Sequence, residues 1–183
     1  GVPITEYRLN DLRRQIALVG QKVMLFDDTI AANIAYGSNI TDEASLRRAA
    51  DAANASEFIN KLPDGLQTRI GENGSLLSGG QRQRAMIAMA VAASPKLLIA
   101  DEPTTGLHFR EVHLLLKVLN KLVDSGGSVL LIEHNLEIIK NSDYIIDVGP
   151  EAGIGGGQIV AEGTPTEIMK SKKGFTGLYL KQY

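Results

Sequence analysis

Short apolar runs alternate along this chain with longer segments of helical pattern. The runs predict strands, the first three of them buried within a sheet, at residues 16–20, 96–101, 128–132, 144–148 and 158–161. The longer segments predict helices at residues 41–62, 78–93, 108–124 and 136–140. This alternation of strands with helices predicts an α/β fold with a largely parallel sheet.

Composition narrows the class of protein. Hydrophobic residues make up 44% of the 183 positions and charged residues 22%, which is typical of one soluble globular domain. A net charge of -2 gives no electrostatic footprint for nucleic acid or an anionic membrane, so we expect neither as a partner. The absence of cysteine excludes disulfides and cysteine-ligated zinc. With no apolar run of membrane-spanning length and no signal peptide at residues 1–6, we expect a cytoplasmic location or the cytoplasmic face of a membrane.

The segment 77–84 reads Leu-Ser-Gly-Gly-Gln-Arg-Gln-Arg and begins the predicted helix 78–93. Ser78 would cap this helix, and the glycines after it leave backbone N–H groups open toward an anion. Ser-Gly-Gly alone is common in ordinary capped helices, but the full phrase resembles the signature motif of ATP-binding cassette (ABC) ATPases. The resemblance implies that Ser78, Gly79, Gly80 and Gln81 bind the γ-phosphate of ATP held by a second nucleotide-binding domain.

An acidic pair, Asp101 and Glu102, follows the predicted strand 96–101. Such a pair is usually a solvated turn, yet carboxylates at a strand tip can also hold Mg²⁺ through water and polarise an attacking water. Here the pair comes directly after the signature helix and resembles the Walker B motif of the same family. The resemblance implies that Asp101 binds Mg²⁺ and that Glu102 is the general base.

Two further candidate site residues, Gln21 and His134, each follow a predicted strand. His134 follows the predicted strand 128–132 and resembles the switch histidine that senses the γ-phosphate, although a lone histidine at a strand end is more often structural. Gln21 follows the strand 16–20 and resembles the Q-loop glutamine that reaches the metal and the attacking water. We expect Gln21, Asp101, Glu102 and His134 to converge at the carboxyl edge of the sheet. Ser78 and Gly80 should face away from them, toward a partner.

Different segments of the chain resemble different families of ABC ATPases. Residues 9–83 resemble ABC exporters of the lipid-flippase type, and 68–74 resemble the exporter loop that faces the coupling helices of the transmembrane domain. Residues 86–105 resemble peptide-importer ATPases, and 104–183 resemble the UvrA family of excision-repair ATPases, whose large insertions and zinc cysteines are absent. His108 stands where exporters carry an acid. These features indicate a mosaic, engineered or recombined, and a single natural lineage remains the alternative.

The phosphate-binding pattern Gly-x-x-x-x-Gly-Lys-Ser/Thr occurs nowhere in the sequence. We therefore expect residues 1–183 to be a partial ABC nucleotide-binding domain without its Walker A strand. Residues 27–78 would form a helical subdomain, and 79–183 would carry the signature helix, Walker B and the switch region. The isolated chain should bind ATP and Mg²⁺ weakly and should not hydrolyse ATP.

Three functions stay open at this point. The first is an ABC ATPase that couples ATP hydrolysis to transport once a Walker A segment completes it, with a second nucleotide-binding domain and the coupling helices of a transmembrane domain as partners. The second is a non-catalytic chimera or scaffold. The third is a DNA-repair ATPase module, which only the C-terminal resemblance supports.

Overall fold

The computed structural model describes residues 2–22, 24–38, 40–149 and 157–183. The chain divides into two compact units, Gly1–Ile132 and Glu133–Tyr183. The first unit contains α1 (Leu9–Arg14), β1 (Ile16–Val19), α2 (Ile30–Ala35), α3 (Glu43–Ala52), α4 (Ser56–Ile59), α5 (Gly79–Ala92), β2 (Leu97–Asp101), α6 (Phe109–Asp124) and β3 (Ser128–Ile132). The second contains α7 (Leu136–Lys140), β4 (Ile145–Gly149), β5 (Gln158–Gly163), α8 (Pro165–Lys170) and α9 (Thr176–Gln182).

The first unit is built on a parallel sheet of order β1-β2-β3. Its strands are in register, so that Leu18 lies beside Ile99 and Ile99 beside Leu130. Parallel strands need crossover connections, and here α2 to α5 lie between β1 and β2, while α6 joins β2 to β3. The predicted α/β class and the parallel pairing of these strands are confirmed.

One face of this sheet forms the main hydrophobic core. Side chains alternate across a strand, so Val19, Leu98 and Ala100 share a face, and each is at most 2% exposed. They belong to one buried cluster with apolar residues of α5 and α6, among them Ala85, Ile87, Ala88, Leu115 and Leu119. The core therefore fixes the strand ends from which the candidate site residues extend.

The opposite face of the sheet is open, which corrects the prediction of three buried strands. Leu18 is 70% exposed, and Leu130 and Ile132 are about half exposed. Apolar runs in parallel strands usually signal helices on both faces of the sheet. In this chain the helices of the first unit cover one face, so the run of apolar residues does not correspond to complete burial.

The predicted helix 41–62 is also corrected. Asp42 does cap its start, because its carboxylate accepts the Ser45 N–H at 2.8 Å. The helix ends at Ala52, however, and a short α4 follows. Between them Asn54 has a φ of +53°, a left-handed conformation that asparagine adopts more readily than most residues and that an α-helix cannot contain.

A buried asparagine holds the segment that leads into α2. Asn33 of α2 is 1% exposed, and its side chain accepts the Phe26 N–H and donates to the carbonyl oxygens of Phe26 and Thr29. The predicted helical subdomain 27–78 contains α2, α3 and α4, while its boundaries and those of the segment 79–183 stay predictions.

The second unit has a small core of its own. β4 and β5 pair antiparallel, and Ile145, Ile168 and Leu180 form its buried cluster. Residues 150–156, between β4 and β5, lie outside the described residues. None of the helices in the described part of either unit is both long and apolar enough to cross a bilayer.

Candidate functional site

The acidic pair lies at the carboxyl end of the central strand. Asp101 is the last residue of β2, and the next residue, Glu102, has a φ of +45°. The Glu102 N–H donates to the Ile132 carbonyl oxygen at 2.8 Å, so the end of β3 holds this backbone in place. A left-handed conformation costs a residue with a side chain on the order of 1 kcal/mol or more, and such strain often marks functional positions.

Gln21 and Glu102 meet at this edge of the sheet. β1 and β2 are parallel neighbours, so the residues just beyond their carboxyl ends lie close together. The Gln21 Nε2 donates to the Glu102 Oε2 at 2.7 Å. The structure thus brings together two of the predicted site residues that are 81 positions apart, and their catalytic roles stay predictions.

Thr105 is a site residue that the sequence did not reveal. Its hydroxyl donates to the same Glu102 Oε2 at 3.2 Å, and its N–H donates to the Glu102 carbonyl oxygen at 3.0 Å. The turn 102–105 therefore holds the carboxylate from one side while Gln21 holds it from the other. A hydroxyl three residues after an acid, within a turn, was the available signal.

His134 is the second residue of the second unit and lies two residues beyond the end of β3. Its backbone N–H donates to the Glu133 Oε2 at 3.1 Å, and the Asn135 N–H donates to the same oxygen at 3.2 Å. Asn135 then caps α7 by accepting the Glu137 N–H. The backbone around His134 is thus a hydrogen-bonded turn at a helix start, and its convergence with Asp101 stays a prediction.

The predicted signature segment begins α5 as expected. Ser78 Oγ accepts the Gln81 N–H and the Gln81 Oε1 accepts the Ser78 N–H, which together make a capping box. Gly79 is exposed, whereas Gly80 is buried. The side chains of Ser78 and Gln81 therefore hydrogen-bond to backbone N–H groups at the start of α5. The backbone N–H groups of Gly79 and Gly80 are the groups suited to binding an anion.

The two arginines of this segment have structural contacts. Arg82 Nη1 donates to the Leu77 carbonyl oxygen at 2.7 Å. Arg84 Nη1 donates to the Asn54 carbonyl oxygen at 3.1 Å, and its guanidinium lies 5.2 Å from the centre of the Phe58 ring. Arg84 also pairs with Glu57, which connects α5 to α4. These contacts explain why arginine at both positions suits the fold as well as the motif.

The residues at the sheet edge suit Mg²⁺ bound jointly with a nucleotide. Mg²⁺ prefers oxygen ligands and in nucleotide sites takes one or two carboxylates together with phosphate oxygens and water. Asp101 supplies a carboxylate and Gln21 an amide oxygen, both of the required type. In the described part of the chain no three His, Cys, Asp or Glu side chains cluster as a metal site. Phosphate oxygens and water would complete the ligand set that Mg²⁺ takes in nucleotide sites.

Comparisons with known proteins agree with these motifs. A family model described as "ABC transporter" matches residues 1–105. The ATP-dependent lipid A-core flippase of Nitrosococcus oceani is 45% identical over 98% of the chain, which spans 29% of that protein. The UvrABC system protein A of Rickettsia prowazekii is 55% identical over 71% of the chain and 15% of its own length. Both the flippase and the UvrA resemblances are thus confirmed.

A solved structure gives the same result for the fold. A bacterial Atm1-family ABC exporter with ATP bound superposes with a TM-score of 0.84 and 31% identity, over 98% of this chain and 30% of the exporter chain. The chain spans less than a third of the length of each of these relatives. Because the family match takes in more than half of the chain and the relatives agree with it, this protein belongs to the ABC transporter family.

Proposed function

We propose that this chain is part of an ABC ATPase domain that binds and hydrolyses Mg-ATP, in work coupled to transport, when a Walker A segment completes it. The observation that carries the proposal is the contact of Gln21 with Glu102 beside Asp101, at the carboxyl edge of the parallel sheet. Ligands bind at this edge in open α/β sheets. The family uses ATP and Mg²⁺, and the Atm1-family relative binds ATP.

The chain's residues divide the chemistry of hydrolysis among them. Glu102 accepts a proton from the attacking water as the new oxygen–phosphorus bond forms and the bond to ADP breaks. Gln21 and Thr105 orient the Glu102 carboxylate through their hydrogen bonds to Oε2. Asp101 would hold Mg²⁺, which supplies positive charge against the phosphate oxygens. His134 would contact the γ-phosphate, and Ser78, Gly79, Gly80 and Gln81 would bind the nucleotide held by a second domain.

The open face of the sheet supports completion by a further segment. Leu18, Ile99 and Leu130 lie side by side across it, next to Ile132. A Walker A motif is a strand, a phosphate-binding loop and a helix. A helix packed on this face would bury these side chains and would place its loop at the edge that carries Asp101 and Glu102.

Exposed apolar side chains of the first unit support a membrane-domain partner. Met24 and Leu76 are at least 70% exposed, and the rings of Phe26 and Tyr36 contact each other with their centres 4.3 Å apart. Exposed apolar side chains occur at protein interfaces. We assign these side chains to contacts with the coupling helices of a transmembrane domain, which also favours the cytoplasmic face of a membrane as the location.

Phosphate release with Mg-ATP tests the proposal. The isolated chain should release no phosphate above a blank, because the base has no phosphate cradle beside it. A Walker A segment from the lipid A-core flippase of Nitrosococcus oceani, fused before Gly1, should give turnover that Glu102→Gln abolishes. A folded fusion without turnover would leave the non-catalytic scaffold or chimera as the function. Turnover by the isolated chain that Glu102→Gln removes would mean that another group replaces the phosphate-binding loop.

The identity with UvrABC system protein A favours a second candidate, a DNA-repair ATPase module. Fluorescence anisotropy of labelled double-stranded DNA distinguishes it from a transport ATPase. The net charge of -2 predicts no binding at moderate salt, because phosphate contacts by basic side chains supply most non-specific affinity. The flippase relative matches 98% of the chain and the UvrA relative 71% of it, so the mosaic stays a proposal with a single natural lineage as the alternative.

A further inference from the structure

The carboxylate of Glu111 covers the second glycine of the signature segment. A Cβ on Gly80 would collide with Glu111 Oε1 and Cδ, so the carboxylate lies directly against this glycine and accounts for its burial. The same carboxylate accepts the His108 N–H through Oε2 at 3.0 Å, as the N3 residue of α6. The capping of α6 therefore holds a negative charge against the start of α5.

This arrangement affects anion binding at the same helix start. The first N–H groups of a helix and its dipole attract negative charge. The helix start already attracts the Glu111 carboxylate. A phosphate that approaches Gly79 and Gly80 is therefore repelled by the negative charge of Glu111. A Cβ on Gly79 would stand 3.6 Å from the Gly106 carbonyl oxygen, an ordinary van der Waals contact, so Gly106 also lies close to the signature segment.

We propose that Glu111 sets the phosphate affinity of the signature segment. Its carboxylate weakens phosphate binding at Ser78–Gln81 and makes that affinity depend on how α6 is placed. The inference rests on the proposed function, because it takes this segment as the phosphate-binding surface.

A titration of the whole chain with inorganic phosphate tests the inference. The amide signals of Ser78, Gly79, Gly80 and Gln81 are followed by NMR at constant ionic strength. Glu111→Gln keeps the shape of the side chain and an oxygen that can accept the His108 N–H. Its phosphate dissociation constant should be about two- to fivefold lower than that of the unmodified chain, the size expected for one partly exposed charge. The difference should shrink as salt is added.

Glu162→Gln is the matched control. It removes the same charge from an exposed residue of the second unit. An equal gain in the control would overturn the inference, because net charge would then explain it. An unchanged or higher dissociation constant in Glu111→Gln would also overturn it. If phosphate shifted these amide signals in none of the three proteins, both the inference and the phosphate-binding role of the signature segment would fail. A failed ATPase assay by itself would leave the result of the phosphate titration unaffected.

A steric variant tests the contact itself. Gly80→Ala should lower the melting temperature of the chain, because the new methyl group meets the Glu111 carboxylate. The same substitution in a Glu111→Gly background should lower it much less, since the colliding group is gone. Equal losses in both backgrounds would show that Glu111 does not lie on Gly80 in solution.

Discussion

At the scale of single residues, buried polar groups and paired charges hold the backbone near the site. Asn33 satisfies backbone groups of Phe26 and Thr29 from a position that is 1% exposed. Glu57 of α4 pairs with Lys61, which follows the end of that helix, and with Arg84 on α5. Asn33 stabilises the fold by hydrogen-bonding buried backbone groups, and Glu57 does so through its charge. Denaturation with urea tests the role of Asn33, and the pH dependence of stability tests that of Glu57.

Replacing Asn33 with leucine should destabilise the first unit. The side chain keeps a similar volume, but the Phe26 N–H loses its acceptor. The carbonyl oxygens of Phe26 and Thr29 each lose one of two donors and keep the backbone N–H of Asp28 and of residue 33. We expect the free energy of unfolding to fall by about 1–3 kcal/mol, the cost of leaving a buried donor unsatisfied. Urea denaturation measures this change. Asn120→Leu, at an exposed position of α6, should change it little, and equal effects would contradict the role of Asn33.

Glu57 predicts a dependence of stability on pH. The charge of Lys61, the hydrogen bond from Lys61 and the charge of Arg84 lower the pKa of Glu57 in the folded chain. A lowered carboxyl pKa contributes stability above the pKa of the unfolded chain and loses it as pH falls through the folded-state pKa. The stability difference between the unmodified chain and Glu57→Gln should therefore be present at neutral pH and vanish in acid. A difference that persisted in acid would exclude this ion pairing as its cause.

At the scale of elements, the sheet of the first unit has one packed face and one open face. Strands of this kind are normally covered on both sides, and the edges of β1 and β3 also lack neighbouring strands in the described sheet. Open apolar faces and strand edges both favour self-association. Because one face is buried and the other is exposed, a charged side chain should destabilise the sheet on its packed face and be tolerated on its open face.

Leu18→Lys and Leu98→Lys should separate the two faces. Leu18 is 70% exposed and Leu98 is 1% exposed, in neighbouring strands. Lysine at position 18 should leave the melting temperature nearly unchanged and reduce self-association in sedimentation experiments. Lysine at position 98 should destabilise the unit by about 3 kcal/mol or more, because it places a charge in the core. Similar destabilisation by both substitutions would mean that the open face is covered in solution.

At the scale of the whole molecule, the two units differ in the size of their cores. The buried cluster of the first unit draws residues from β1, β2 and the helices α2 to α6, whereas that of the second consists of Ile145, Ile168 and Leu180. A smaller core buries less apolar surface and gives less stability. The unit that carries His134 should therefore open more readily than the unit that carries Glu102.

Ile168→Ala should unfold the second unit selectively. Ile168 is 1% exposed, and truncation of a buried isoleucine costs about 2–5 kcal/mol. In native-state hydrogen exchange, the amides of β4 and β5 should lose protection while those of β1 to β3 keep theirs. The surface substitution Glu162→Gln should change neither set. Equal loss of protection in both units would show that the chain unfolds as one cooperative body.

The sequence by itself determined the family, the order of elements and most strand and helix positions. These features are local: Ser78 caps α5 because its hydroxyl suits a helix start, and 97–101 forms a strand because its apolar run is short and followed by an acid and a proline. The motif phrases are local as well. They therefore predicted Gln21, Asp101, Glu102 and His134 as candidates without any knowledge of packing.

Only the tertiary structure decided which side chains meet and which faces are covered. The motif positions predicted that Gln21 and Glu102 lie near each other, but the hydrogen bond between them depends on the packing of the strands. No local pattern indicates the contact of Glu111 with Gly80. The exposure of Leu18 depends on where the helices pack, because an apolar run reads the same whether one face or both are buried. The break at Asn54, whose φ is +53°, is likewise a backbone conformation that the helical spacing of the apolar residues did not predict.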